Sequence, residues 1–227
     1  KTKLVQSVFS SVAPNYDIMN DLMSLGMHRL WKKRFVEKID IKRDDIILDV
    51  GSGSGDIASQ IIREKLPISL YLLDLNREML EEGKKRFKNN KNIKYFIGNA
   101  EKLNFESNLF DKYIISFCLR NVTDYILSIK EAYRVLKPGG KYCCLEFSTP
   151  KSSLISSSYK IYKSKILPIL GDIIAKDKKA YKYLSESIDL FPSQEELNEH
   201  LMDNGFSKVE TVNLFNGIVA IHIGYKV

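Results

Sequence analysis

The sequence contains few cysteines and no long apolar stretch. Its 227 residues include three cysteines, Cys118, Cys143 and Cys144, without the spacing of a metal-binding motif. An odd number of cysteines favours a reducing compartment, and the adjacent pair is expected to point to opposite faces of a strand. No run approaches the roughly 18 apolar residues that a membrane-spanning helix needs. The chain is therefore predicted to be soluble or peripheral to a membrane.

Histidines are also few and scattered. His28, His200 and His222 fall on different predicted elements, and no cluster of cysteines or carboxylates accompanies them. A metal centre needs several such side chains that converge on one point. We therefore interpret the histidines as structural and assign no metal site.

Basic residues outnumber acidic ones, 35 against 28, which gives a formal net charge of +7. Such a charge can attract nucleic acid, an anionic membrane or acidic proteins. Several lysines between residues 84 and 94 are spread along one predicted helix and its exit, a pattern typical of a solvated helix face. Because no nucleic-acid motif accompanies them, we expect no nucleic-acid partner.

Apolar runs and helical patterns alternate from residue 46 to residue 147. This alternation predicts a doubly wound, mostly parallel sheet with helices on both faces. A chain of 227 residues is within the size of one large α/β domain, so we expect one domain that spans residues 1–227. The predicted strands are residues 46–50, 68–75, 93–97, 112–117 and 141–147, and the predicted helices are residues 57–65, 78–89 and 125–136.

Two segments lie outside this alternation. Residues 1–40 are predicted to form an N-terminal helical extension, in which Trp31 and Phe35 are one helical turn apart. Residues 150–191 are predicted to form a helical insertion, or lid. Its isoleucines and tyrosines are interleaved with lysines, a composition that suits a membrane-interfacial surface, a dimer interface or burial against the core.

The C-terminal residues are predicted to complete the sheet. Residues 194–204 have a helical pattern, and two apolar stretches, 207–214 and 218–227, flank the turn signal Asn216-Gly217. They predict an antiparallel hairpin. The sheet would then have seven strands, with an antiparallel strand at its C-terminal end.

A glycine-rich loop follows the first predicted strand. Residues 49–56 have the sequence DVGSGSGD. Glycines allow a tight turn, and the N–H groups that open the next helix can donate to a polar ligand. A dinucleotide-binding loop has glycine or alanine where this chain has Asp56, and an acid there opposes a pyrophosphate. The loop therefore favours a ligand with an amino group and a ribose, such as S-adenosylmethionine.

Polar residues follow the next two predicted strands. Asp74 ends the second strand, about 20 residues beyond the glycines, where a carboxylate can accept hydrogen bonds from both ribose hydroxyls. It is not needed as a helix cap, since Asn76 can cap the following helix. Asn99 and the small Ala100 follow the third strand, at the edge where open α/β sheets bind ligands. We predict a ribose contact for Asp74 and an adenine contact for Asn99 and Ala100.

Longer stretches match one protein family as ordered blocks over nearly the whole chain. Residues 119–124, LRNVTD, include an Arg-Asn pair that separates this family from other methyltransferases. The chain resembles the ubiquinone and menaquinone biosynthesis C-methyltransferases, which implies a class I S-adenosylmethionine-dependent methyltransferase fold. The other matching positions are residues 8–13, 16–17, 19–24, 28–32, 115–117, 133–140, 145–148, 167–168, 181, 183–184, 186–188, 220–222 and 224.

The resemblance implies a role for individual residues. Arg120 and Asn121 would face a quinol ring, and Tyr16 would complete the polar network around it. The implied reaction is methylation of a ring carbon of a polyprenyl methoxy-benzoquinol, with demethylmenaquinol as the alternative substrate. The residues implied to contact S-adenosylmethionine are Gly51, Ser54, Asp74, Asn99, Ala100 and Ser116.

Arg120 is the residue with the most specific expected role. The pKa of a guanidinium is so high that the group stays protonated and does not easily serve as a base. Arg120 is therefore expected to stabilise a developing phenolate, while Asn121 or a water relays protons. The alternative is that Arg120 only pairs with a nearby acid, for example Asp124. Cys118 stands where the family usually has glycine, and we expect it to pack as a small hydrophobic residue or to narrow the ring pocket.

The resemblance also implies a location and partners. Residues 55–58 and 191–195 resemble the mitochondrial branch, which implies the matrix side of the inner membrane, with the bacterial cytoplasm as the alternative. A quinone biosynthesis complex and a homodimer through the lid are the expected assemblies. A dinucleotide oxidoreductase and a noncatalytic methyltransferase-like scaffold are the competing functions.

Overall fold

The computed structural model describes residues 20–21, 24, 26–88, 90–150 and 178–227. Their strands are β1 (Ile46–Val50), β2 (Ser69–Asp74), β3 (Ile93–Ile97), β4 (Phe110–Ser116), β5 (Leu136–Phe147), β6 (Phe206–Leu214) and β7 (Val219–Lys226). These strands form one sheet in the order β3-β2-β1-β4-β5-β7-β6. Strand β7 is antiparallel to β5 and β6, whereas the other neighbours are parallel. The predicted doubly wound sheet of seven strands is confirmed.

Helices connect and cover these strands. They are α1 (His28–Ile39), α2 (Asp56–Arg63), α3 (Arg77–Arg86), α4 (Tyr125–Val135), α5 (Lys178–Asp189) and α6 (Gln194–Asp203). The side chain of Asn76 accepts a hydrogen bond from the backbone N–H of Met79 at 3.0 Å, so it caps α3 as predicted. Ser193 and Glu196 form a capping box at the start of α6. The sequence therefore sets these helix starts locally.

Two hydrophobic layers cover the two faces of the sheet. One layer contains Trp31 and Phe35 of α1 together with Cys143. The other contains Tyr113 and Cys144, packed with residues of α4 and α6. The adjacent cysteines of β5 thus point to opposite faces of the sheet, as alternation along a strand predicted.

Strand β5 begins earlier than the sequence indicated. Residues 138–140, Pro-Gly-Gly, were expected to separate helix α4 from a strand that starts at residue 141. Instead, buried Leu136 pairs with Phe110, and the register shifts before Lys141 pairs with Lys112. Gly139, with φ of 79°, takes part in this bulge. The Pro-Gly-Gly sequence therefore interrupts the ladder and does not end it.

Parts of the predicted extension and lid lie outside the described residues. Helix α1 is the described helix of the extension, and α5 is the described helix of the lid. Tyr16 and residues 151–177 are not described. Among the helices that are, none is both long and apolar enough to cross a bilayer.

Candidate active site

The carboxyl ends of β1, β2 and β4 meet around one pocket. Strand β1 lies between β2 and β4, and the strand order reverses at β1. In open α/β sheets, such a reversal opens a crevice at the carboxyl ends of the strands. The glycine loop, the end of β2 and the segment that follows β4 line the pocket. The predicted site residues that line it are Gly51, Asp74, Ala100, Ser116 and Asn121.

The glycine loop follows β1 and turns tightly beside the end of β2. Gly51 and Gly53 have φ of 65° and 55°, in the left-handed region that favours glycine. The N–H groups of Gly51 and Ser52 both donate to the carbonyl oxygen of Leu73, at 2.8 and 3.1 Å. A Cβ atom on Gly51 would lie 2.2 Å from Sγ of Cys118. Glycine is therefore required at position 51 by both dihedral and space.

Asp74 connects the glycine loop to the start of α3. Its Oδ2 accepts from the N–H of Gly53 and its Oδ1 from the N–H of Asn76, both at 2.8 Å. Burial raises the pKa of Asp74, and these backbone N–H groups oppose the shift. Each carboxylate oxygen can accept more than one hydrogen bond, so the carboxylate can hold the loop and still accept from a ligand.

Three polar atoms near the loop are buried without a hydrogen-bond partner among the described residues: Oδ2 of Asp49, Oγ of Ser52 and Oγ of Ser116. Asp49 is the next-to-last residue of β1 and is 1% exposed. Burial, and then the neighbouring charges of Asp74 and Asp56, raise its pKa well above the usual range. These acceptors fit a ligand that brings an ammonium group and hydroxyls, as S-adenosylmethionine does. The sequence analysis assigned no role to Asp49. A carboxylate within the apolar run of a buried strand could have indicated one.

The carboxylate of Asp56, which was expected to repel a pyrophosphate, is paired with two cations. Its carboxylate pairs with Lys32 at 2.7 Å and with Arg86 at 2.6 Å. Burial alone would raise the pKa of Asp56, but these two cations outweigh it and lower the pKa to about 2. Because its charge is neutralised by two cations, Asp56 opposes a pyrophosphate less than we expected.

Arg120 lies in a short 3₁₀ helix, Leu119–Asn121, at the carboxyl edge of β4. It is 8% exposed, and its Nη1 donates to Oε1 of Glu146 and to the carbonyl oxygen of Phe117, each at 2.6 Å. Its guanidinium also lies over the ring of Phe147, 5.2 Å from the centroid. Arg120 therefore pairs with a nearby acid, as the alternative to a catalytic role expected, and that acid is Glu146. The example given for it, Asp124, was wrong, since its carboxylate caps α4.

Asn121 lines the pocket and contacts both the residue that follows β4 and helix α5. Its Nδ2 donates to the carbonyl oxygen of Phe117 at 3.3 Å, and its Oδ1 accepts from the hydroxyl of Tyr183 at 3.1 Å. Phe117 has φ of 52°, an uncommon value for a residue with a side chain. The left-handed turn at Phe117 leaves its carbonyl oxygen bound by both Arg120 and Asn121. Sequence reasoning missed Glu146 and Tyr183 as members of this cluster.

Other predicted site residues are placed apart from the pocket lining. The Oδ1 of Asn99 accepts from the backbone N–H of Glu101 at 3.0 Å, and its Nδ2 donates to the carboxylate of Glu101 at 3.1 Å. Ser54 does not line the pocket, although the neighbouring loop residues do. Tyr16 lies outside the described residues. The roles of these residues remain predictions.

Solved structures share this fold. A chain from the complex of the Haloferax volcanii Trm112 methyltransferase activator with a methyltransferase matches with a TM-score of 0.71 at 18% identity, and the match covers 97% of this chain and 96% of that one. A SAM-dependent methyltransferase from Thermotoga maritima matches with a TM-score of 0.68 at 20% identity, covering 98% and 99%. The sheet order and the glycine loop after β1 therefore define a class I S-adenosylmethionine-dependent methyltransferase fold.

Sequence comparison then gives the family. The model described as the ubiE/COQ5 methyltransferase family matches residues 1–226. The ubiquinone/menaquinone biosynthesis C-methyltransferase UbiE of Rickettsia bellii is 50% identical over 233 residues, which cover 100% of this chain and 94% of the relative. The chain belongs to the ubiE/COQ5 methyltransferase family. It is a methyltransferase that uses S-adenosylmethionine, as predicted, and the oxidoreductase alternative is set aside.

Proposed function

We propose that this enzyme methylates a ring carbon of a polyprenyl methoxy-benzoquinol in ubiquinone biosynthesis, with demethylmenaquinol as the second candidate substrate. The observation that carries the proposal is that the pocket and a buried ion pair share one hydrogen-bond acceptor. Arg120 and Glu146 do not line the pocket, but the carbonyl oxygen of Phe117, which does, accepts from both Arg120 and the pocket residue Asn121. A fixed cation beside a cofactor pocket suits a substrate on which negative charge develops. The Rickettsia relative, whose name includes both quinones, supports this substrate class.

The residues around the glycine loop would hold the cofactor. When bound, S-adenosylmethionine supplies an electrophilic methyl group on a sulfonium sulfur. In our proposal, Asp74 accepts from the ribose hydroxyls, and the ammonium group of the cofactor favours the ionised form of Asp49, whose pKa is raised without the ligand. The glycine loop approaches the ligand closely because Gly51 and Gly53 carry no side chain.

The residues at the end of β4 would orient the ring and stabilise charge. The phenolic proton would pass to a water, negative charge would grow on the ring oxygen, and the guanidinium of Arg120 would stabilise that oxygen. Glu146 holds Arg120 in one geometry through the 2.6 Å contact, so the donor does not reorganise during the reaction. Asn121 supplies a second polar contact from the pocket wall. Tyr16 is proposed to complete this network from the N-terminal segment.

A radiochemical assay tests the proposed substrate. The enzyme is incubated with methyl-labelled S-adenosylmethionine and with short-tailed methoxy-benzoquinol or naphthoquinol analogues under reducing conditions. We expect labelled benzoquinol product at a higher rate than labelled naphthoquinol product. Label in neither ring would reject a quinol substrate, and faster labelling of the naphthoquinol would select the menaquinol alternative.

Asp74→Ala is expected to weaken binding of S-adenosylmethionine by about 1 to 3 kcal/mol, because hydrogen bonds to a charged acceptor are lost. Titration calorimetry measures the change. Asp111→Ala is the matched control, since Asp111 also accepts from a backbone N–H, that of Ile46 at 2.9 Å, but lies outside the pocket lining. Equal affinities for the Asp74 variant and the unaltered enzyme would show that the ribose is held elsewhere.

Cofactor affinity is expected to rise with pH. Burial raises the pKa of Asp74, and burial together with nearby carboxylates raises that of Asp49. A cationic ligand favours the ionised carboxylates, so binding releases protons below the raised pKa values and weakens as pH falls through them. Calorimetry in two buffers of different ionisation enthalpy counts the protons released. An affinity that stays constant as the pH is lowered would contradict this assignment.

The location and assembly of the enzyme are further parts of the proposal. The sequences of residues 55–58 and 191–195 favour the mitochondrial matrix side of the inner membrane. The relative from Rickettsia is bacterial and supports the bacterial cytoplasm. Fractionation of the cells that make the protein distinguishes the two. We retain a quinone biosynthesis complex and a homodimer through the lid as proposed assemblies, and size measurement of the purified enzyme tests the dimer.

A further inference from the structure

Tyr183 of helix α5 reaches into the cluster at the end of β4. Its hydroxyl donates to Oδ1 of Asn121 at 3.1 Å, and the ring is half-buried. Burial raises the pKa of Tyr183, an effect that Arg120 opposes. The hydroxyl therefore keeps its proton near neutral pH and acts as a hydrogen-bond donor. From the sequence, Tyr183 was part of a block that matches the family and had no predicted role.

The contact fixes the orientation of the Asn121 amide. An asparagine amide has an oxygen that accepts and an NH₂ group with two donors, and the two ends have similar size. Here Oδ1 accepts from Tyr183, while Nδ2 donates to the carbonyl oxygen of Phe117. No group of the described residues accepts from the second N–H of Asn121, so this N–H is available to a group in the pocket. Without the donor on Tyr183, the amide could turn over and present its oxygen instead.

Hydrogen bonds connect Tyr183 and Asn121 to Arg120. The carbonyl oxygen of Phe117 accepts from Nδ2 of Asn121 and also from Nη1 of Arg120, and Nη1 in turn pairs with Glu146. A chain of hydrogen bonds thus connects α5 with the ends of β4 and β5. A shift of the Asn121 amide would disturb the carbonyl oxygen that also holds Arg120.

We propose that Tyr183 is a positioning residue for methyl transfer, whose hydroxyl fixes the Asn121 amide with an N–H directed to the phenolic oxygen of the substrate. The inference rests on the proposed function, because it takes a phenolic ring as the substrate. A fixed donor stabilises that oxygen most when negative charge develops on it. The contribution of Tyr183 is therefore to turnover and not to cofactor binding.

Tyr183→Phe removes the hydroxyl and keeps the ring. We expect kcat with the quinol analogue to fall about 5- to 30-fold, while KM for S-adenosylmethionine changes less than about twofold. Tyr125→Phe is the matched control, since its hydroxyl contacts Nδ1 of His200 at 3.2 Å and lies outside the pocket lining. Its kcat should equal that of the unaltered enzyme. A normal kcat for Tyr183→Phe would overturn the proposal.

A double-mutant cycle tests whether Tyr183 acts through Asn121. In an Asn121→Ala background, Tyr183→Phe should cause little further loss of kcat, because the group that it positions is gone. A loss as large as in the unaltered background would show that Tyr183 acts by another route. That result would also overturn the proposal.

Amide NMR tests the contact of Tyr183 with Asn121 independently of whether the substrate is a quinol. The side-chain signals of Asn121, identified by their loss in Asn121→Ala, should shift in Tyr183→Phe and stay in place in Tyr125→Phe. Unshifted signals in Tyr183→Phe would reject the contact even if the enzyme methylates quinols. Shifted signals in an enzyme that methylates no quinol would support the hold of Tyr183 on Asn121 and reject only the substrate.

Discussion

Glu146→Ala is expected to lower the free energy of unfolding by about 3 to 5 kcal/mol, the typical cost of removing one partner from a buried ion pair. Glu146 is 1% exposed, and its Oε1 lies 2.6 Å from Nη1 of Arg120. A guanidinium does not lose its proton in the accessible pH range, so the variant would bury an unpaired cation. Urea unfolding measures the change.

Two further variants show whether the loss comes from the ion pair. Glu146→Gln keeps the shape and one acceptor oxygen for Arg120, so it should cost less than alanine does. Glu82→Ala removes an exposed partner of Lys85, 2.6 Å away, and should hardly change stability. If Glu146→Ala unfolds no more easily than Glu82→Ala, the buried pair does not hold this edge of the sheet.

Arg120→Ala is expected to lower kcat by a factor of about 10² to 10³, by analogy with the loss of one oxyanion donor. Arg120→Lys should recover little activity, since lysine lacks the forked geometry that reaches Glu146 and the substrate together. Binding of S-adenosylmethionine should hardly change. Steady-state kinetics and calorimetry on the same preparations measure both quantities.

The stability of Arg120→Ala separates a catalytic from a structural role. Burial already raises the pKa of Glu146, so the unpaired carboxyl can take up a proton and become neutral. The variant should therefore lose less stability than Glu146→Ala, and the loss should shrink as pH falls. Near-normal kcat with reduced stability and cofactor affinity would remove Arg120 from the catalytic residues.

Complementation tests the scaffold alternative. Restored quinone synthesis in cells that carry Arg120→Ala would favour a noncatalytic scaffold.

Local patterns predicted most of the fold. The strands and the glycine loop depend on runs of neighbouring residues, and the cap at Asn76 depends on a residue three positions away. The start of β5 was missed because Pro138 and the following glycines are typical of a break, and only the pairing of Leu136 with Phe110 extends the strand across them.

The partners in the site could not be predicted from local patterns. Glu146 lies 26 residues beyond Arg120, and Tyr183 lies 62 residues beyond Asn121. Such contacts depend on the sheet order, which places β5 beside β4. The charge of Asp56 was likewise misjudged, because Lys32 and Arg86, which neutralise it, come from other helices.

The adjacent cysteines of β5 point into different hydrophobic layers, Cys143 into the layer of α1 and Cys144 into that of α4 and α6. Burial raises the pKa of both thiols, so neither reacts readily while its layer is closed. A chain that keeps one of them, with the other and Cys118 replaced, would carry a thiol in one layer only. The labelling rates of the two single-cysteine chains would then show which face of the sheet opens first under native conditions.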